Sequence, residues 1–335
     1  MQSYRGLSPL IALVTFVKDR IGSPVEDLDL DGIQRSRAGG APRAPLPHPL
    51  EDRISAGVDR SVGITYGTAP ARDEHEIPLR IYRPRALPDA RTDVPVLMWF
   101  HGGGWVLGDV VGHDPLCTFL AAQVGCVVVS VDYRLAPEHR APVAAHDCID
   151  ATTWVGVNGD VLRADTSRMA VAGDSAGGNL AAVVAQVLRD HGDTRLRHQA
   201  LIYPATDLTM SSPSVREQAN APGLTKRSMD AFRDHYVAPG HDLRDPLLSP
   251  LFGRLEGLPP ALVQTADRDP IRDDGIRYAH AMRASGVPVR LTNYLKVPHG
   301  FAGMPGAAPA VGRQHRWELV EELTAALSPL ASPLG

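Results

Sequence analysis

Cysteine is scarce in this chain. Cys117, Cys126 and Cys148 are its only three among 335 residues, an odd count with neither metal-ligand spacing nor a disulfide framework. The expectation is three reduced, buried thiols in a reducing, cytoplasmic compartment. No CxxC or HExxH pattern occurs, so neither a metal site nor a cofactor is expected. A basic stripe is also missing, and the formal net charge of −4 argues against a phosphate-backbone partner, which sets nucleic acid aside. Nor is there a run long enough to span a membrane. The apolar Leu10-Ile11-Ala12-Leu13-Val14-Thr15-Phe16-Val17 is too short, and Lys18-Asp19-Arg20 follows it with no small-residue cleavage site. It reads as an amphipathic helix of a cytosolic protein, not as a targeting segment. No internal repeat is found.

What remains is an ordinary globular composition, 44% hydrophobic and 21% charged, in a chain long enough for one large α/β domain or two smaller ones. Near the start, Ser8 then Pro9 signal a helix, with Ser8 as N-cap and Pro9 at the first helical position. Residues 39–49, rich in Gly, Pro and Ala, read as a linker. Val62–Tyr66 and Ile77–Tyr82 read as the arms of a β-hairpin joined through the charged Arg72–Glu76.

Strand-like runs then recur at 94–100, 126–131, 169–173, 199–203, 261–265 and 289–295, mostly separated by helical segments. Continuous apolar runs such as Cys126-Val127-Val128-Val129 suit strands buried on both faces of a parallel sheet. The alternation implies an α/β fold with a mostly parallel central sheet flanked by helices. The interval from Asp207 to Pro250 is longer than a crossover helix needs, so it is expected to insert a small helical cap.

The chain is organised around Met169–Leu180, where a short apolar run climbs to Gly173-Asp174-Ser175-Ala176-Gly177 and a helix begins at once. Leu180, Val183, Val184, Val187 and Leu188 recur at helical spacing, and Gly192 stands where a C-terminal cap belongs. A serine between a strand end and a helix start must turn sharply, and glycines on either side remove the Cβ atoms that would collide. In a chain with 31 glycines the Gly-x-Ser-x-Gly pattern alone is weak, because an idle serine in a glycine-rich turn looks the same. The strand-turn-helix context favours Ser175 as a nucleophile.

Three glycines, Gly102-Gly103-Gly104, end the first strand of the alternation between His101 and Trp105. Unpaired N–H groups there can face a developing oxyanion. A phosphate cradle would need a following Gly-Lys-Ser/Thr, which is absent; a plain flexible turn is the other alternative. A serine nucleophile also needs a base and an orienting carboxylate. Past the last two strand ends lie Asp267 and Asp269, then His299, on the edge where open α/β sheets bind ligands. Strand alternation cannot choose between the two aspartates. Pro270 biases Asp269 toward an extended conformation, in the turn that faces the His299 loop.

Taken together, His101-Gly102-Gly103-Gly104-Trp105, Asp132-Tyr133-Arg134-Leu135-Ala136-Pro137-Glu138-His139, Gly173-Asp174-Ser175-Ala176-Gly177-Gly178, Asp269-Pro270-Ile271-Arg272-Asp273 and His299-Gly300-Phe301 resemble the hormone-sensitive-lipase branch of the α/β-hydrolases. The resemblance covers roughly residues 100 to 301 and has the order Ser, Asp, His. It implies a serine carboxylesterase with Ser175, Asp269 and His299 as catalytic triad. It also implies oxyanion donors at Gly103, Gly104 and Ala176, and substrate contacts at Trp105 and Phe301. Residues 1–50 and 207–250 would then cap a core made of 51–206 and 251–335. The expected partner is a small ester with a short to medium acyl chain, and a homodimer is compatible. An amidase or lactonase using the same triad, or a non-catalytic small-ligand receptor on the same scaffold, are the alternatives. Asp132, Arg134 and Glu138 are expected to form a structural ion-pair network.

Overall fold

The expected apolar runs form strands, and those strands make one sheet. In the computed structural model, which describes residue 4 and residues 6–21, 24–38, 53–88 and 91–329, the strands are β1 (Val62–Pro70), β2 (Glu76–Pro84), β3 (Pro95–Phe100), β4 (Val127–Val131), β5 (Asp165–Asp174), β6 (Leu196–Ile202), β7 (Ala261–Arg268) and β8 (Val289–Pro298). Their order is β1-β2-β4-β3-β5-β6-β7-β8. The β1–β2 hairpin and the β2–β4 pair are antiparallel, and every pair from β4 to β8 is parallel. The stretch 39–49, read as a linker, lies outside the described residues.

The longer helices are α1 (Pro9–Ile21), α2 (Leu30–Arg37), α3 (Asp114–Val124), α4 (Val143–Val157), α5 (Ala176–Asp190), α6 (Lys226–Tyr236), α7 (Arg272–Ala284) and α8 (Pro309–Leu327). Side chains alternate across each strand, and the alternation sorts the interior into two cores. Val96, Met98 and Phe100 face α4, α5 and α7. Leu97 and Trp99 face α3 and α8, and Ile11 and Val14 of α1 join that second core. Pro9 opens α1 as expected. The Ser8 hydroxyl, however, does not cap it: the Oγ has no hydrogen-bond partner among the described residues, and only the Ser8 carbonyl engages the helix, accepting from the Ala12 N–H at 2.9 Å. Among the described residues no helix is long and apolar enough to cross a membrane.

The strand order reverses between β3 and β5. The chain leaves β3 toward α3 on one face and leaves β5 toward α5 on the other, so the two neighbouring strand ends diverge and open a crevice. The glycine loop and the Ser175 turn flank that crevice. Their approach requires glycine: a Cβ on Gly177 would overlap the Phe100 carbonyl at the end of β3, and a Cβ on Gly173 would overlap the backbone of Gly177.

On the outer side, a buried ion pair fixes α3. Arg80 of β2 donates twice to Asp114, at 2.7 and 2.6 Å, and the Tyr82 hydroxyl donates to the same carboxylate at 2.8 Å. Asp114 opens α3, where a negative charge also meets the positive end of the helix dipole.

Two outcomes follow from this packing. Asp114→Ala strands a buried guanidinium and is expected to cost about 3–5 kcal/mol in urea unfolding; a cost below about 1 kcal/mol would contradict the role given to the pair. Gly177→Ala is expected to lower stability by at least about 2 kcal/mol. Gly303→Ala, where a Cβ would meet open space, is expected to stay within about 0.5 kcal/mol of the parent. Thermal melts of both glycine variants check the contrast.

Candidate active site

Ser175 sits at φ 56° and ψ −117°, immediately before α5. This is a sparsely populated conformation for a residue with a Cβ, and three backbone bonds hold it. Its N–H donates to the Ile202 carbonyl at 2.8 Å, and its carbonyl accepts from Asn179 at 3.0 Å and Ala205 at 3.3 Å. The side chain caps nothing on α5. Its Oγ points instead at His299 Nε2, 2.9 Å away.

His299 follows β8, and its Nδ1 lies 2.7 Å from Asp269 Oδ2. The Asp269 carboxylate is fully buried, and its other oxygen accepts the Ile271 N–H at 2.9 Å. An ionised carboxylate only accepts, so this contact suits the tautomer that carries its proton on His299 Nδ1, with Nε2 facing Ser175. Asp267 is engaged elsewhere, accepting the Val297 N–H at 3.2 Å. Of the two aspartates, the structure brings Asp269 to the histidine.

The glycine loop is anchored one peptide plane at a time. The carbonyl of Gly102 lies 2.8 Å from His101 Nδ1, and the carbonyl of Gly103 accepts from Leu107 at 2.8 Å and Val106 at 3.2 Å. In a trans peptide the N–H points away from the carbonyl. Holding these two carbonyls inward therefore turns the N–H groups of Gly103 and Gly104 outward. Together with the N–H of Ala176, at the first turn of α5, they donate to no acceptor among the described residues. All three residues line the cavity. Three free donors beside a serine hydroxyl can stabilise an oxyanion, helped by the helix dipole. Burial pushes the His101 imidazole down to about 4, so it serves this loop as a neutral donor.

Over Ser175 lies a cavity of about 270 Å³. Leu208, Met210, Leu224, Met229 and Phe232 from the 207–250 interval, with Ile271, make its apolar wall. Asp207 and Asp274 form a polar patch in the same wall. Asp274 accepts from Ser212 Oγ at 2.5 Å, and Asp207 from Arg277 at 2.8 Å. Burial, with Asp207's charge nearby, pushes the Asp274 carboxyl up to about 8 against the bond from Ser212. No described residue of the N-terminal segment lines this cavity. The segment braces α6 from outside, through Asp27 with Arg227 at 2.6 Å and Glu26 with Ser228 at 2.9 Å.

The remaining expectations divide. Trp105 lines the cavity, its ring stacked on Tyr236 at 4.5 Å. Phe301 is absent from the lining. It is 1% exposed and packs edge-on against Tyr203 and His315, because the αL turn at Gly300 sends the chain inward. Arg134 pairs with Asp147 and Asp73, both at 2.7 Å, while Glu138 pairs separately with Arg37 at 2.9 Å. Asp132 makes no ion pair among the described residues, so these three do not form one network.

A pair that the motifs did not flag is His113 with Asp174, 2.9 Å apart beside Ser175. Burial opposes ionisation of both. The opposite charges and hydrogen bonds outweigh it, raising His113 and holding Asp174 below the usual carboxylate range. Asp174 stood inside the motif, but nothing in the sequence singled out His113 among 13 histidines.

Known proteins share this arrangement of strands. The family described by the α/β-hydrolase fold matches residues 97–303. Carboxylesterase NlhH of Mycobacterium tuberculosis is 42% identical over 303 residues, covering 87% of this chain and 90% of its own. Esterase LipI of the same organism is 43% identical over 285 residues, 84% of each chain. A thermostable esterase from Pseudomonas putida superposes with a TM-score of 0.85 at 33% identity, over 97% of this chain and 99% of its own. With this agreement across most of its length, the chain belongs to the α/β-hydrolase family, in its hormone-sensitive-lipase-like branch.

Proposed function

We propose that this protein is a carboxylic ester hydrolase that works through a serine acyl-enzyme. One observation carries the reading: an unbroken chain of contacts, Ser175 Oγ to His299 Nε2 at 2.9 Å and His299 Nδ1 to Asp269 at 2.7 Å, beneath an apolar cavity. His299 takes the Ser175 proton as the oxygen attacks the ester carbonyl, and Asp269 stabilises the imidazolium that forms. The negative charge on the former carbonyl oxygen meets the N–H groups of Gly103, Gly104 and Ala176. His299 then protonates the departing alcohol. Water, deprotonated by the same histidine, releases the acid and restores the serine.

Residues 207–250 act as the cap, since they supply most of the apolar wall, and residues 24–38 hold that cap in place. A cavity near 270 Å³ lies just below the usual size range of about 300–1,000 Å³ for ligand pockets, which favours short to medium acyl chains. Three buried free thiols fit a reducing, cytoplasmic setting.

The test is a panel of esters of increasing acyl length with amide and lactone controls, run on the parent and on Ser175→Ala. Short and medium esters are expected to turn over best, and Ser175→Ala is expected to lose at least about 10³-fold in kcat while staying folded. A variant within about tenfold of the parent would remove Ser175 from the mechanism. The carboxylates separate in the same assay. Asp269→Asn is expected to lose at least about 10²-fold in kcat, on the order of 2.7 kcal/mol, and Asp267→Asn less than about tenfold. Circular dichroism checks that both fold; a more damaged Asp267→Asn would reverse the assignment.

A further inference from the structure

We infer that His113 is a positioning residue for the glycine loop, acting through Asp174; the inference rests on the reading of Gly103 and Gly104 as oxyanion donors. A single oxygen carries the connection. Asp174 Oδ1 accepts the Gly102 N–H at 2.9 Å and faces His113 Nε2 at 2.9 Å. Asp174 immediately precedes Ser175, so this oxygen ties the nucleophile's turn to the loop that follows β3. The fit is close: a Cβ on Gly102 would run into the Asp174 carboxylate.

His113 precedes α3, and its other nitrogen, Nδ1, lies 3.2 Å from the Asp109 carbonyl. Both ring nitrogens thus face acceptors, which holds the ring as a double donor. Water has limited room to replace it, since the two side chains are 21% and 15% exposed. Without His113, the Asp174 carboxylate keeps only uncharged donors among the described residues, the Gly102 N–H and the Tyr203 hydroxyl. It must then take up a proton or turn toward solvent, and either change weakens its grip on Gly102. The peptide that joins Gly102 to Gly103 carries the first outward N–H, so a loosened Gly102 displaces that donor. The donor is used only when charge develops on the substrate, so the loss falls on the transition state and leaves ground-state binding intact.

His113→Ala and His113→Gln separate this role from a merely structural one, because Gln keeps an N–H donor without the charge. The readouts are kcat and KM on a short-chain p-nitrophenyl ester, and inhibition by a trifluoromethyl ketone, which adds the serine to form a tetrahedral oxyanion. His113→Ala is expected to lower kcat about 10- to 100-fold, with KM within about threefold, and to weaken the ketone in parallel. His113→Gln is expected to recover most of both losses. The proposal is overturned if kcat of His113→Ala stays within about threefold of the parent. It is also overturned if the ketone binds undiminished, or if Gln recovers nothing. Should His113→Ala not fold, His113→Asn, too short to reach Asp174, carries the same expectations. Parent turnover and Ser175→Ala test the esterase reading itself, so failure of that reading is seen apart from failure of this one.

Discussion

Everything at this site depends on the turn at Ser175. A residue held at φ 56° carries strain of about 1–3 kcal/mol, and the fold offsets it with hydrogen bonds to β6 and to the loop after it. The turn also sets distances. Because Gly173 and Gly177 have no side chains, the turn seats directly on the backbone of Phe100, the last residue before the glycine loop. Ser175 and the proposed oxyanion donors of the glycine loop therefore come from two strands whose ends touch, and their relative position is set by van der Waals contact in a close-packed region. A larger residue at either glycine would separate the two halves of the site before it altered any reacting atom.

Much of this was legible in the sequence because strand ends are legible. Strand-like runs, several of them continuously apolar, marked six strands, and the chemistry-bearing residues lie within a few positions of where those runs stop. Boundaries were less clear. β5 begins at Asp165, where its polar start lacks the apolar signature, and β8 runs past Lys296, which breaks the apolar pattern, to Pro298. Hydrophobic pattern says which face a residue takes, and it says little about partners. Thus Phe301, two residues from His299, was expected at the substrate but turns into the core. Ser8 has the right identity and place for a cap, yet its hydroxyl makes no bond. His113 has no motif around it, and its partner is 61 residues away. Long-range polar pairs of this kind leave no local trace.

The buried charges follow one rule: each carboxylate near the crevice is committed to a specific donor. Asp114 answers Arg80, Asp207 answers Arg277, and Asp267 answers the backbone of Val297. Asp274 faces Ser212 and the Asp207 N–H, with no guanidinium of its own, and is the one pushed up to about 8. Unpaired burial of a charge is costly enough that the group neutralises instead. The apolar cavity can therefore tolerate two aspartates in its wall, because one is paired with Arg277 and held below the usual carboxylate range while burial pushes the other toward its neutral form.

Two carboxylates remain, and they flank the nucleophile in the same way. Asp269 fixes His299 from behind and so aims a lone pair at the Ser175 oxygen. Asp174 joins His113 to Gly102, on the side where the proposed oxyanion donors lie. Asp269 is buried and Asp174 half-buried, and each pairs with a histidine. In the proposed mechanism, proton transfer depends on one pair and charge stabilisation on the other. The two pairs reach Ser175 from different parts of the chain, one after β7 and one at the end of β5. On that proposal the two pairs meet only at Ser175, and each would control a different part of the same barrier.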